Sequence, residues 1–186
     1  MIQVISPPSA GTSIEGFSMD EAPEGALVLK GAIVTIKEMN LQNVVGTAIT
    51  ADNDSQILLE GLEVSNGFGI GTAPTVLQVS GNSTVTLKDS YLDSNSSTDG
   101  STIHVDGGSS LTLQRTFVCN NNSGATGTIH VAGANLTIQS SILADNTATQ
   151  GGALATSAMG EDNTITIENA HFVNNEGLGK VAFMGT

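Results

Sequence analysis

Apolar residues in this chain come in short alternating runs, not in helical stripes. In "SSLTLQRTFVCNN" (109–121), Leu111 and Leu113 flank the polar Thr112. Side chains alternate across a strand with period two, so Leu111 and Leu113 point inward and Thr112 outward. No amphipathic stretch of helical period is long enough to supply a crossover helix. The pattern predicts short strands separated by polar turns.

The same frame returns along the chain. Its other copies are "AIVTIKEMNLQNV" (32–44), "SQILLEGLEVSNG" (55–67), "STVTLKDSYLDSN" (83–95), "ANLTIQSSILADN" (134–146) and "NTITIENAHFVNN" (163–175). The first inward residues of these strands are Val34, Ile57, Val85, Leu111, Leu136 and Ile165, at intervals of 23, 28, 26, 25 and 29 residues. The variation falls in polar turns such as "GFGIGTAPT" (67–75) and "ATSAMGEDN" (155–163). A period near 25 residues with short strands and no helices predicts an all-β, single-stranded right-handed parallel β-helix of about six coils. "TIHV" appears at 102–105 and again at 128–131. Stacking explains the recurrence: Ile103 lies over Ile129, and Val105 over Val131. The expected organisation is a leader or irregular cap over 1–24, coils over 25–179, and the start of a further coil at 180–186.

Asn recurs where each frame ends: Asn43, Asn66, Asn95, Asn120, Asn121, Asn146, Asn174 and Asn175. Asn tolerates the left-handed turn conformation and can bond to the Asn above and below it, so these are expected to be structural.

Composition narrows the partners. The formal net charge is −13, which argues against nucleic acid, anionic membranes and polyanionic glycans. Aromatic residues make up 3% of the chain, so the core must be aliphatic. Cys119 is the single cysteine, which excludes an internal disulfide. No run is long enough for a transmembrane helix, so membrane insertion is not expected. "MIQVISPPSAG" has neither the basic nor the apolar region of a signal peptide.

Gly151–Gly152–Ala153–Leu154 reads GGAL, while Phe172–Val173–Asn174–Asn175 and Phe117–Val118–Cys119–Asn120 both read FxxN. Together they resemble the GGA[ILV]/FxxN repeats of polymorphic outer membrane proteins, which are autotransporter passengers. "GTIHV" and "GSTIHV" hold the GGAI position in degenerate form. The resemblance covers residues 100–179 well and 25–99 loosely. It implies a β-helix and an extracellular or cell-surface adhesin-like passenger.

Several constellations bear on chemistry. His104 and His130 fall at equivalent outward positions with Asp106 two residues on, and two imidazoles with a carboxylate suit Zn²⁺ or Cu²⁺. Thr35, Thr86, Thr112, Thr137 and Thr166 share one outward position, broken by Leu58. Thr84 and Thr164 add T-x-T pairs, and flat Thr arrays on β-helices resemble those of ice-binding proteins. Asp52–Asn53–Asp54 and Asp99–Gly100 offer oxygen ligands for Ca²⁺, but their spacing matches no Ca²⁺ loop, and solvated turns are the plainer reading. Polysaccharide enzymes on β-helices gather Asp residues with Arg or Lys. Here Asp89, Asp93, Asp99, Asp106 and Asp145 are the candidate acids, and Arg115 is the one arginine. The hydrolases' Asn-Thr-Asp, Asp-Asp and Gly-His-Gly signatures are absent, and no residue is assigned a catalytic role.

The expected function is therefore non-enzymatic: a structural or adhesive solenoid that binds protein or glycan and needs no cofactor, with end-to-end self-association through exposed end strands. A carbohydrate-active enzyme and an ice-binding protein are the alternatives.

Overall fold

The structure, a computed structural model, describes residues 1–5, 12–124, 126–157, 162–177 and 183–184. Every strand pairing within it is parallel, and no helix occurs among the described residues. The first sheet stacks strands such as Leu77–Val79, Ile103–Asp106, Ile129–Ala132 and Leu154–Ser157. The second stacks Thr84–Lys88, Ser110–Gln114 and Asn135–Gln139, among others. The third stacks Glu63–Ser65, Tyr91–Asp93, Phe117–Cys119, Ile142–Ala144 and His171–Val173. A fourth ladder of two-residue strands, including Ser96–Ser97 and Asn122–Ser123, was not foreseen from the sequence. Two-residue strands leave no alternation to detect.

Equivalent residues form files running along the solenoid axis. Inward files are aliphatic: Leu77–Ile103–Ile129–Leu154 and Val79–Val105–Val131 in the first sheet, Val85–Leu111–Leu136 in the second. All of these side chains are buried. Burying one such side chain contributes about 1.5–3 kcal/mol, so the aliphatic files supply the main stabilisation without aromatic residues.

The corners are polar but satisfied. Where the first sheet turns into the second, the backbone N–H groups of Ala32, Ser55 and Ser83 donate to the hydroxyls of Ser55, Ser83 and Ser109 in the next coil. Where the second turns into the third, Asp89, Arg115 and Ser140 adopt φ near 49°.

Three described strands lie within the segment expected to be a leader or irregular cap. Ile2–Ile5, Thr12–Glu15 and Ser18–Asp20 continue the three main sheets downward, pairing with Leu27–Lys30, Ile33–Lys37 and Asn40–Gln42. Pro7 and Pro8 lie outside the described residues. At the other end, Phe183–Met184 pairs with Leu154–Ala155. Gly179, residues 180–182 and residues 185–186 lie outside the described residues.

Candidate functional site

Register divides the recurrent asparagines into two populations. Asn43, Asn66, Asn120 and Asn174 take φ of 52°, 55°, 54° and 50° at the corner after the third sheet. There Asn43, Asn120 and Asn174 donate side-chain hydrogen bonds to Asp20, Asp93 and Asp145 of the coil below. The following residues, Asn95, Asn121, Asn146 and Asn175, point inward. Each Oδ1 accepts from the backbone N–H of the preceding coil, starting with Gly67 N to Asn95 Oδ1 at 2.9 Å. Each Nδ2 donates to a carbonyl of the third sheet, from Val64 to Leu143.

This register corrects the motif equivalence. Phe172 packs inward three residues before the ladder residue Asn175, but Phe117 points outward and is 44% exposed. Val118, not Phe117, shares the inward file with Leu143 and Phe172, and Asn121 is the counterpart of Asn175. The FxxN at 117–120 is shifted by one residue, and a one-residue shift on a strand reverses the face. The GGAL position holds: Leu154 pairs with Ile129, and Ile129 with Ile103. A Cβ on Gly152 would lie 2.6–2.7 Å from the Glu176 backbone, so the loop requires glycine there.

The outward shift of Phe117 creates a surface feature absent from the motif reading. Tyr91 and Phe117 are in register on the third sheet, with ring centroids 6.3 Å apart and planes at 52°. Both rings are more than 40% exposed. Beside them Arg115 Nε donates to Asp89 Oδ1 at 2.6 Å and its NH2 group to Asp89 Oδ2 at 2.8 Å. The guanidinium holds the Asp89 carboxyl below its usual range. Tyr91, Phe117, Arg115, Asp89 and Glu63 line an open recess of about 370 Å³. The left-handed backbone at Asp89 and Arg115 aims this pair along the corner next to the rings. Apolar ring faces beside a planar charged pair can stack on a sugar ring and hydrogen-bond its hydroxyls.

A second recess, about 380 Å³, opens on the first sheet and is lined by His104, Asp106, His130, Ala132 and Ser157. His104 and His130 are in register, with rings edge to face and centroids 4.7 Å apart. Their Nδ1 atoms lie 3.1 Å apart. Asp106 does not converge with them as a third ligand: its carboxylate meets the far nitrogen of His104, Nε2, at 3.2 Å and accepts from Gln78 Nε2 at 3.2 Å. Burial lowers the His104 pKa against the opposing pull of Asp106. Burial and the neighbouring His104 bring His130 down to about 4.

The threonines occupy two files. Thr35, Thr86, Thr112, Thr137 and Thr166 share the middle outward file of the second sheet with Leu58. Thr84 and Thr164 belong to a neighbouring file with Gln56, Ser110 and Asn135 between and beside them. On the other flank, Glu60 forms ion pairs with Lys37 and Lys88, and Gln139 donates to Glu168. The face is therefore a mixed polar sheet with one threonine line.

The candidate acids are dispersed. Asp106 is on the first sheet, Asp89 at the corner before the third, Asp93 within the third, Asp145 after it, and Asp99 in the loop beyond the fourth. Asp52 accepts from Ser80. Among the described residues, no three His, Cys, Asp or Glu side chains come together to hold a metal ion. Cys119 is half-buried, and burial raises its thiol pKa.

The profile of the family described as a right-handed beta helix region matches residues 24–186. The chain belongs to this family. The solenoid is right-handed, as parallel connections predict. A solved structure of the Streptococcus pneumoniae surface protein and adhesin PfbA is similar at 10% identity and a TM-score of 0.34, covering 95% of this chain and 77% of that one. No curated protein matches the chain.

Proposed function

We propose that this right-handed β-helix is a non-enzymatic adhesive segment, secreted or displayed at a cell surface, that binds glycan through the Tyr91–Phe117 face. The observation that carries the reading is the exposed, tilted pair of rings beside the Arg115–Asp89 clamp. Two of the protein's few aromatic side chains stand in solvent on adjacent coils, where they do nothing for the core. Solvent-exposed rings of this kind mark binding surfaces more often than a scattered single residue does. The coil spacing of about 4.8 Å offers one contact level per coil along an extended ligand. Net charge disfavours polyanions, so the proposed ligand is a neutral or weakly charged glycan. The GGAL segment and the inward FxxN at 172–175 support a passenger of the polymorphic outer membrane protein type. Unpaired strand edges at the ends of a solenoid support end-to-end self-association as a further property.

The test is co-sedimentation of the protein with a panel of insoluble plant, algal and bacterial polysaccharides, with parallel assays for new reducing ends and unsaturated uronates. Binding without products, lost in Tyr91→Ala and Phe117→Ala, is expected. Released products would replace this reading with the enzymatic one, and unchanged binding in both variants would move the site elsewhere.

A further inference from the structure

His104 and His130 meet through their Nδ1 atoms, and both far nitrogens are engaged. His104 Nε2 lies 3.2 Å from Asp106 Oδ2, and His130 Nε2 lies 3.0 Å from Ser157 Oγ. A carboxylate only accepts, so His104 Nε2 carries the ring proton and His104 Nδ1 presents a lone pair. His130 then has two arrangements. In one, its Nδ1–H donates to His104 Nδ1 and its Nε2 accepts from the Ser157 hydroxyl. In the other, Nε2–H donates to Ser157 Oγ, and two Nδ1 lone pairs share one side of the recess. Ser157 serves both, because a hydroxyl donates and accepts. Exchange between them moves one proton across the His130 ring and leaves the net charge unchanged.

The second arrangement has the form of a metal-binding histidine pair. Metal-ligating imidazoles donate their other N–H to an oxygen acceptor, which fixes the tautomer and the ring orientation. Asp106 and Ser157 stand in that role. We propose that His104 and His130 chelate a divalent first-row transition-metal ion, Cu²⁺ more tightly than Zn²⁺, through their two Nδ1 atoms. With metal–nitrogen bonds of about 2.0–2.1 Å, the 3.1 Å separation gives an N–metal–N angle of about 100°, between the cis angle of a tetragonal site and a tetrahedral one. Imidazole donors bind Cu²⁺ most strongly among these ions. The recess has room for waters or an external ligand to complete the shell. The acidic surface raises the local concentration of cations. The third histidine, His171, lies on the third sheet, outside this recess.

The test is titration of the full chain with Cu²⁺ and with Zn²⁺, followed by calorimetry and, for Cu²⁺, by electron paramagnetic resonance. One Cu²⁺ per chain with hyperfine coupling to two imidazole nitrogens is expected. His104→Gln and His130→Gln should each weaken binding at least about tenfold, and Asp106→Asn by about 10–100-fold, as outer-shell partners of metal-bound histidines do. His171→Gln should leave binding unchanged. Glutamine suits the fold, because Gln78 holds the same file one coil below. Coupling to a single nitrogen, or equal affinity in the His104→Gln/His130→Gln double variant, would overturn the proposal. Should a variant fail to fold, the imidazole resonances of the unaltered protein decide. Zn²⁺ must shift both His104 and His130, and a shift confined to His171 would overturn the site.

Discussion

Asn121 gives two hydrogen bonds to one atom: its backbone N and its Nδ2 lie 3.1 and 3.0 Å from Asn146 Oδ1. Its own Oδ1 receives the same pair from Asn95. One side chain therefore closes the corners of two coils inside the solenoid. Asn121→Ala would strand the Asn95 backbone N–H in a buried site and take a partner from Asn95 Nδ2 and from the Leu92 carbonyl. A loss of about 2–4 kcal/mol is expected, since each unmet buried group costs about 1–3 kcal/mol. Urea denaturation measures it. The neighbouring Asn120→Gly should be close to neutral, because Asn120 sits at φ 54° on the surface.

Gly152→Ala should destabilise the upper coils. The added Cβ meets the Glu176 backbone at 2.6–2.7 Å, and that backbone can yield only by breaking its place in the fourth ladder. The expected cost is on the order of 1–3 kcal/mol, typical of overpacking. Hydrogen exchange should show the loss first at Thr147 and Glu176, whose N–H groups donate to Asn121 O and Asn146 O.

Stability should fall as the solution is acidified towards the His130 pKa. In the fold His130 titrates at about 4 and His104 is lowered too, while an unfolded histidine titrates near 6.5. Between those values the unfolded chain binds more protons, so stability rises with pH there. The contribution is fully present above pH 6.5 and is lost as pH falls through 6.5 towards 4. After allowance for partial solvent screening, the effect is about 2 kcal/mol. Thermal melts of His130→Gln should show a flatter profile over that window; an unchanged profile would show that the pair stays solvated.

Tyr91→Ala and Phe117→Ala should abolish glycan retention while leaving stability within about 0.5 kcal/mol, as surface changes do. Arg115→Ala should weaken retention and leave stability nearly unchanged, since its ion pair with Asp89 is exposed. Retention assays paired with denaturation curves separate the two effects.

Much of the architecture was legible in the chain because a solenoid repeats in space what it repeats in sequence. Leu111, Leu136 and Ile165 could be aligned by eye, and they stack as aligned. Alternation told the inside from the outside, and "TIHV" placed His104 over His130. The pairing of Ile2–Ile5, Thr12–Glu15 and Ser18–Asp20 was hidden because these strands lack the closing Asn of the frame.

The sequence by itself determined the all-β solenoid, its aliphatic interior and the coil period, because these follow from periodicity and from which side chains leave water. Only the tertiary structure decided what a one-residue offset means. It put Phe117 in solvent and Phe172 inside, split Asn120 from Asn121, and turned Asp106 towards the far nitrogen of His104. A strand reverses face at every residue, and a side chain has several rotamers. Register and rotamer are settled by neighbours in other coils, about 25 residues away along the chain, and those contacts exist only once the coils have stacked.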